Sequence, residues 1–146
     1  RKSISIAKEN GTKIAFSVSD VFCIERFRDS FLEIIKNDCD IVFANEEEIK
    51  ALTGGSNIDE DLNTLMKEDK ILAITKGEQG ALIISQNNKY EISSEKIDNL
   101  VDTTGAGDIF AAGFLEYLIK NHEIQECGKR GIQLASKIIQ QYGARF

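Results

Sequence analysis

The sequence predicts an α/β fold, in which helices cover a layered, mostly parallel central sheet with antiparallel edge strands. Short apolar runs of strand length alternate with amphipathic stretches of helical period. Several of these runs, such as residues 40–44 and 71–75, are apolar along most of their length, which is typical of a sheet covered on both faces. Strands that alternate with helices indicate one layered α/β unit.

The predicted elements follow one another along the whole chain. Strands are expected at residues 13–18, 40–44, 71–75, 81–85 and 90–93, the last three as an antiparallel meander. Helices are expected at residues 1–9, 22–36, 46–52, 58–67, 105–120 and 124–142, with an extended segment at 97–101. The helical spacing of Phe22, Phe27 and Phe31 predicts that all three lie in the core.

Composition excludes several classes of function. The chain has 146 residues, 42% apolar and 29% charged, as in an ordinary globular protein. Its net charge of −6 and scattered lysines argue against a nucleic-acid partner. No apolar stretch approaches the roughly 20 residues of a membrane span. Three cysteines without CxxC spacing indicate a reducing compartment, so we expect a soluble cytoplasmic protein.

The segment from Asp102 to Asp108 is the main candidate for a catalytic site. Gly105 and Gly107 at a helix start let the backbone turn tightly and gather free N–H groups, which with the helix dipole form an anion site. Asp108 in the first helical turn would place a base beside it, as phosphoryl transfer to an alcohol requires. The plainer interpretation is a glycine loop whose aspartate stabilises a helix dipole.

Two better-known nucleotide motifs do not account for this segment. A dinucleotide fingerprint would need a third glycine where Phe110 stands, and no Walker A pattern occurs anywhere in the chain. A flavodoxin-like or dinucleotide-binding domain would also open with a glycine-rich turn, which this sequence lacks.

The stretch DTTGAGDIFAAGFL resembles the C-terminal signature of the PfkB carbohydrate-kinase family, which includes ribokinase, fructokinases and adenosine kinases. The resemblance implies that Asp108 is the catalytic base and that the amides of Gly105, Ala106 and Gly107 form an anion hole. It also implies a monovalent-cation site, for K⁺ in many members. The positions that match this site are Asp102, Thr104 and, near the chain end, Gly143.

Two further motifs match the same family. Asn45 and Glu48 match its Asn-x-x-Glu motif, whose glutamate helps to hold Mg²⁺ and its waters near the phosphates of ATP. The same pair is also a capping box that would begin a helix unaided, and both interpretations can hold together. Thr75 and Gly77 match a Thr-x-Gly turn that contacts the ATP phosphates.

The resemblance covers nearly the whole chain in the order of the family's second half, and it is closest to the adenosine-kinase-like branch. It implies that residues 1–146 are the C-terminal, ATP-binding and catalytic part of a ribokinase-like domain. It implies transfer of the γ-phosphoryl group of ATP to a hydroxyl of a sugar or nucleoside, in a full-length protein that could form a homodimer. We expect the N-terminal half, with its lid and most acceptor-binding residues, to be absent and the fragment alone to be inactive. The alternative is a non-catalytic nucleotide-binding or regulatory module.

Overall fold

The computed structural model describes residues 1–55, 62, 65 and 69–145. The strands are β1 (Ala15–Ser17), β2 (Ile41–Asn45), β3 (Ile71–Thr75), β4 (Ala81–Ser85) and β5 (Asn88–Ile92). The helices are α1 (Lys2–Glu9), α2 (Val21–Asn37), α3 (Glu46–Thr53), α4 (Ala106–Leu118) and α5 (Ile124–Ile138), and a 3₁₀ turn spans Gly77–Gln79. The helix predicted at residues 58–67 lies outside the described residues, except for Leu62 and Leu65, which are helical and buried.

The strands form one mixed sheet in the order β1-β2-β3-β4-β5, so the predicted α/β class is confirmed. β1 and β2 are parallel, with Phe16 opposite Val42. Most residues of β2, β3 and β4 are buried, as expected of strands with both faces covered. Gln86 and Asn87, both with positive φ, connect β4 to β5, a conformation typical of two-residue hairpin turns. This turn lies one residue before the predicted one.

The chain divides into two compact units, the first formed by Arg1–Leu72 with Ile84–Asn87. In this unit the side chain of Asp20 caps α2 by accepting the Phe22 N–H. At the other end of α2, the buried Lys70 donates its ammonium protons to the carbonyls of Ile35 and Cys39. A buried lysine therefore serves here as a helix cap, which satisfies both partners.

The expectation that three phenylalanines of α2 lie in the core is wrong for two of them. Phe22 is 67% exposed and Phe27 is 52% exposed. Phe31 instead packs edge-on against Phe16, with 5.5 Å between the ring centroids. Phe27 has a non-helical backbone (φ −131°, ψ 27°) that divides α2 at a kink. The kink changes which side of the helix its residues face, so a single helical period does not describe the whole segment.

The second unit comprises Ala73–Ile83 and Asn88–Phe146, and its core includes Phe110, Phe114 and Cys127. α4 and α5 pack closely: a Cβ built at Gly113 would lie 2.9 Å from the Arg130 carbonyl oxygen. α5 ends at residue 138, earlier than predicted, and turns follow through residue 144. Within the described part of the chain, no helix has the length and apolar character needed to cross a bilayer.

Candidate active site

The turn that precedes α4 carries the residues predicted to form the anion site. Gly105 adopts a left-handed conformation (φ +77°) as the N-cap, and no side chain caps the helix. Its carbonyl accepts the Ile109 N–H at 2.9 Å, while Ala106 N–H donates to the Thr103 carbonyl at 3.1 Å. A Cβ at Gly105 would lie 2.4 Å from the Cβ of Ala144, so only glycine fits. The first-turn N–H groups of α4 have no intrahelical acceptor.

Asp108 lies in the first turn of α4 and is exposed. The preceding Gly107 lines a cavity of the second unit, and a Cβ built on Gly107 would meet nothing within 4 Å. The carboxylate is therefore attached one residue beyond the cavity lining, on a helical turn with open space beside it.

The cavity itself has a volume of about 570 Å³, within the usual range of small-molecule sites. One part of its wall is apolar and comes from residues before, within or just after the two helices of the unit: Ile97, Leu100, Phe110, Ile132 and Ile139. The remaining wall is formed by small, polar and acidic residues: Thr75, Gly77, Glu78, Gly80, Ser94, Glu95, Thr103, Ala106, Gly107, Ala135 and Ser136. A cavity lined by apolar residues and by two glycine-containing turns suits a ligand that combines an apolar ring with an anionic group.

Four of the predicted nucleotide-site residues meet at this cavity, namely Thr75, Gly77, Ala106 and Gly107. The turn that carries Gly77 is held by its own backbone, since Lys76 N–H donates to the Gly80 carbonyl at 2.8 Å. Gly80 has φ +95°, and a Cβ there would come within 1.9 Å of a backbone oxygen of β5. The glycine turn is thus held by a backbone hydrogen bond and by its close approach to β5.

Asn45 and Glu48, in the first unit, form a complete capping box at the start of α3. Asn45 Oδ1 accepts the Glu48 N–H at 2.8 Å, and Glu48 Oε2 accepts the Asn45 N–H at 2.9 Å. The capping interpretation is therefore confirmed. Glu48 is only 7% exposed, and burial raises the pKa of its carboxyl group, with Asp20 and Glu47 adding to the rise and the bond from Asn45 opposing it.

The three residues predicted for a monovalent cation are also brought together. Asp102 Oδ1 accepts the Thr104 N–H at 2.9 Å, and Asp102 Oδ2 accepts the Gly143 N–H at 3.0 Å. Bonds from Thr104, and then from Gly143, lower the pKa of the Asp102 carboxyl group. The carboxylate of Asp102 therefore accepts an N–H group from a residue 41 positions later in the sequence.

Among residues 1–55 and 69–145, no group of three or more His, Cys, Asp or Glu side chains could enclose a metal ion. A single carboxylate is nevertheless enough for Mg²⁺, which keeps several of its waters and binds proteins through one or two carboxylates together with substrate phosphates. Glu48 offers one such carboxylate.

Sequence reasoning missed the α5 wall of the cavity. Ile132, Ala135, Ser136 and Ile139 follow the i, i+3, i+4, i+7 spacing of one helix face. That spacing also describes an ordinary buried face, and nothing in the sequence separates a cavity wall from a packed core.

Comparison with known proteins identifies the family of this sequence. The model of the pfkB family carbohydrate kinases matches residues 1–146. A nucleoside kinase of Methanocaldococcus jannaschii is 31% identical over 118 residues, which cover 81% of this chain and 38% of the relative. The chain thus spans about two fifths of the length of this relative.

Solved structures agree with the sequence relatives. Adenosine kinase from Sinorhizobium meliloti is 36% identical and superposes with a TM-score of 0.93 over 99% of this chain and 44% of that one. A putative ribokinase II from E. coli, in complex with ATP and Mg²⁺, superposes with a TM-score of 0.87 over 98% of this chain and 47% of that one. At 22% identity, the latter likeness shows the fold alone.

Proposed function

The chain belongs to the pfkB family of carbohydrate kinases, and from that premise we propose that it is the nucleotide-binding part of a longer ATP-dependent kinase. Its relatives are sugar and nucleoside kinases. The reaction proposed is transfer of the γ-phosphoryl group of ATP to a hydroxyl of a nucleoside or sugar. The observation that carries the proposal is the cavity at which the turn after β3 and the turn before α4 meet.

The cavity supports a specific placement of ATP. The apolar wall of Ile97, Ile132 and Ile139 suits the adenine ring, which is flat and apolar on its faces. The phosphates would lie toward Thr75, Gly77 and the amides of residues 105–107, where backbone N–H groups and the dipole of α4 favour negative charge.

The proposed transfer is in line and direct. The acceptor hydroxyl gives its proton to Asp108 as its oxygen forms a bond to the γ-phosphorus. The bond between the γ-phosphorus and the bridging oxygen breaks, and ADP leaves with that oxygen. Backbone amides of residues 105–107 stabilise the charge on the equatorial oxygens. No covalent enzyme intermediate forms.

Glu48 is the residue that we propose for Mg²⁺, through coordinated water. The ion, when bound with ATP, neutralises charge on the phosphate oxygens. The capping box holds the glutamate to the Asn45 N–H through Oε2, which fixes the orientation of the carboxylate at the start of α3. Asn45 thus positions Glu48 and begins α3 at the same time.

Potassium dependence is a further part of the proposal. Asp102, Thr104 and Gly143 are joined by two hydrogen bonds beside the anion turn. Carbonyl oxygens exposed on such turns are suitable ligands for a hard monovalent cation. We also propose a cytoplasmic location, since Cys23, Cys39 and Cys127 are free thiols that suit a reducing compartment.

Nucleosides, with adenosine first, are the acceptors that we favour. Both a nucleoside kinase and an adenosine kinase are among the relatives of the chain. This chain spans less than half of either protein. We propose that the residues around the acceptor lie largely in the rest of the full-length protein. We also propose that residues 1–146 alone do not catalyse phosphoryl transfer.

An ADP-release assay on the full-length protein tests this function. ATP-Mg²⁺ is supplied with adenosine, other nucleosides, ribose and fructose in turn. Turnover with one acceptor identifies the substrate and supports the proposal. ATP binding without turnover on any acceptor would instead favour a non-catalytic regulatory module.

A further inference from the structure

The segment after α5 lies against the turn that carries the proposed anion site. The Ile139 carbonyl accepts two N–H groups from that turn, Val101 at 2.8 Å and Asp102 at 3.2 Å. Farther along, Ala144 lies so close to Gly105 that any side chain on Gly105 would collide with it. We call residues 139–145 the tail. Both ends of the tail, Ile139 and Ala144, therefore contact the turn.

Asp102 joins the two segments through both of its carboxylate oxygens. Oδ1 accepts the N–H of Thr104 within the turn, and Oδ2 accepts the N–H of Gly143 in the tail. We propose that Asp102 is a positioning residue, a latch that holds the tail on the turn and so keeps the amides of residues 105–107 in the geometry that binds phosphate. This inference rests on the proposed kinase function.

The chemistry of the latch requires a carboxylate. Each of the two N–H donors needs an acceptor oxygen, and only an ionised aspartate offers two at this length. An asparagine keeps one acceptor and introduces an NH₂ group, which repels the second donor. Hydrogen bonds to a charged group are also stronger than neutral ones.

The backbone explains why a latch is needed. Gly105 and Gly143 both adopt left-handed conformations, with φ of +77° and +80°. Glycine reaches this region without steric cost but loses more conformational entropy than any other residue when it is held there. A side chain that fixes both segments removes that freedom before ATP binds, which is how preorganised donors stabilise a transition state.

Asp102→Asn and Asp102→Ala in the full-length protein test the latch, with Asp98→Asn as the matched control. Asp98 is exposed and lies four residues earlier in the sequence. Amide hydrogen exchange measures whether the tail is held on the turn, and it does not depend on enzyme activity. ADP release at saturating and limiting ATP, with and without K⁺, measures the effect on kcat and on KM for ATP.

We expect exchange of the Thr104 and Gly143 amides to accelerate about tenfold or more in Asp102→Ala, and less in Asp102→Asn. We expect kcat to fall by a similar factor with little change in KM for ATP, at every K⁺ concentration, and the control to behave as wild type. Unchanged exchange would overturn the latch, as would faster exchange with unchanged kcat.

A loss of activity that excess K⁺ restores, with exchange unchanged, would make Asp102 a cation ligand only and would also overturn the inference. If the wild-type protein has no kinase activity, the proposed function fails independently. The exchange rates then still decide whether Asp102 holds the tail on the turn.

Discussion

Gly131 of α5 lies directly against the ring of Phe110 in α4, where a Cβ would come within 2.7 Å of the ring carbon Cδ2. Phe110 is 1% exposed and also lines the proposed nucleotide cavity. The contact therefore connects the packing of two helices to the shape of the site, since Phe110 cannot move away from α5 without entering the cavity or straining the core.

Gly131→Ala should destabilise the full-length protein by about 1–3 kcal/mol, the usual cost of overpacking a filled core. Because the displaced ring borders the cavity, we also expect KM for ATP to rise. Denaturant unfolding and ATP-dependent kinetics measure the two effects. Gln125→Ala, on an exposed position of the same helix, is the control. Equal stability of Gly131→Ala and the control would show that this contact is not tight.

Glu48→Gln separates the two roles of the capping box. Glutamine can still accept the Asn45 N–H, so α3 should keep its cap, whereas the charge proposed for Mg²⁺ is lost. We expect a higher Mg²⁺ concentration for half-maximal activity, with an unfolding temperature at neutral pH that is no lower than that of wild type. Asn45→Ala should instead lower the free energy of unfolding by about 1 kcal/mol through loss of the cap. An unchanged Mg²⁺ requirement in Glu48→Gln would leave Glu48 with the capping role alone.

The stability of Glu48→Gln relative to wild type should change with pH in one direction. Burial raises the pKa of Glu48 in the folded state, so the folded protein binds this proton more tightly than the unfolded chain does. Stability contributed by this group is present below the unfolded pKa and is lost as the pH rises through the folded pKa. The stability of the variant relative to wild type should therefore increase from acidic to neutral pH. A relative stability that falls over that range would contradict the raised pKa.

Much of the fold could be predicted from local sequence. The apolar runs predicted the positions of β2, β3 and β4 within a residue, and Asn45 predicted the start of α3 because its cap depends only on neighbours in sequence. The exposed Phe22 and Phe27 could not be predicted, because the kink at Phe27 interrupts the helical period.

The site was predictable only in part, for a related reason. The residues of the two glycine-containing turns were found because short motifs carry them. The α5 wall of the cavity has the same spacing as an ordinary core face. The bond between Asp102 and Gly143 joins residues far apart in the sequence, so no local pattern reports that Oδ2 of Asp102 accepts a tail N–H.

Thiol chemistry gives a test of the core that is independent of activity. Burial raises the pKa of Cys39 to about 11, from an ordinary value of 9.0, and burial also raises the pKa of Cys127. Both thiols should react slowly with a disulfide reagent at mildly alkaline pH, after the partly exposed Cys23.

The raised pKa of Cys39 also predicts a loss of stability in alkali. The unfolded chain loses this proton near pH 9.0 and the folded protein near 11, so the free energy of unfolding should fall between those values. A Cys39→Ala variant should lose less stability over that interval. If the free energy of unfolding fell equally with pH in the variant and in wild type, the raised pKa of Cys39 would be ruled out as the cause.

Asp108 is the residue that we propose as the base of the phosphoryl transfer, and the decisive variant is Asp108→Asn in the full-length protein. The acceptor is the one identified by ADP release, and Asp98→Asn is the control. We predict that kcat falls by about 10²–10⁴-fold while the affinity for ATP, measured by direct binding, is unchanged. A fall in kcat of less than about tenfold, with ATP still bound, would contradict Asp108 as the base.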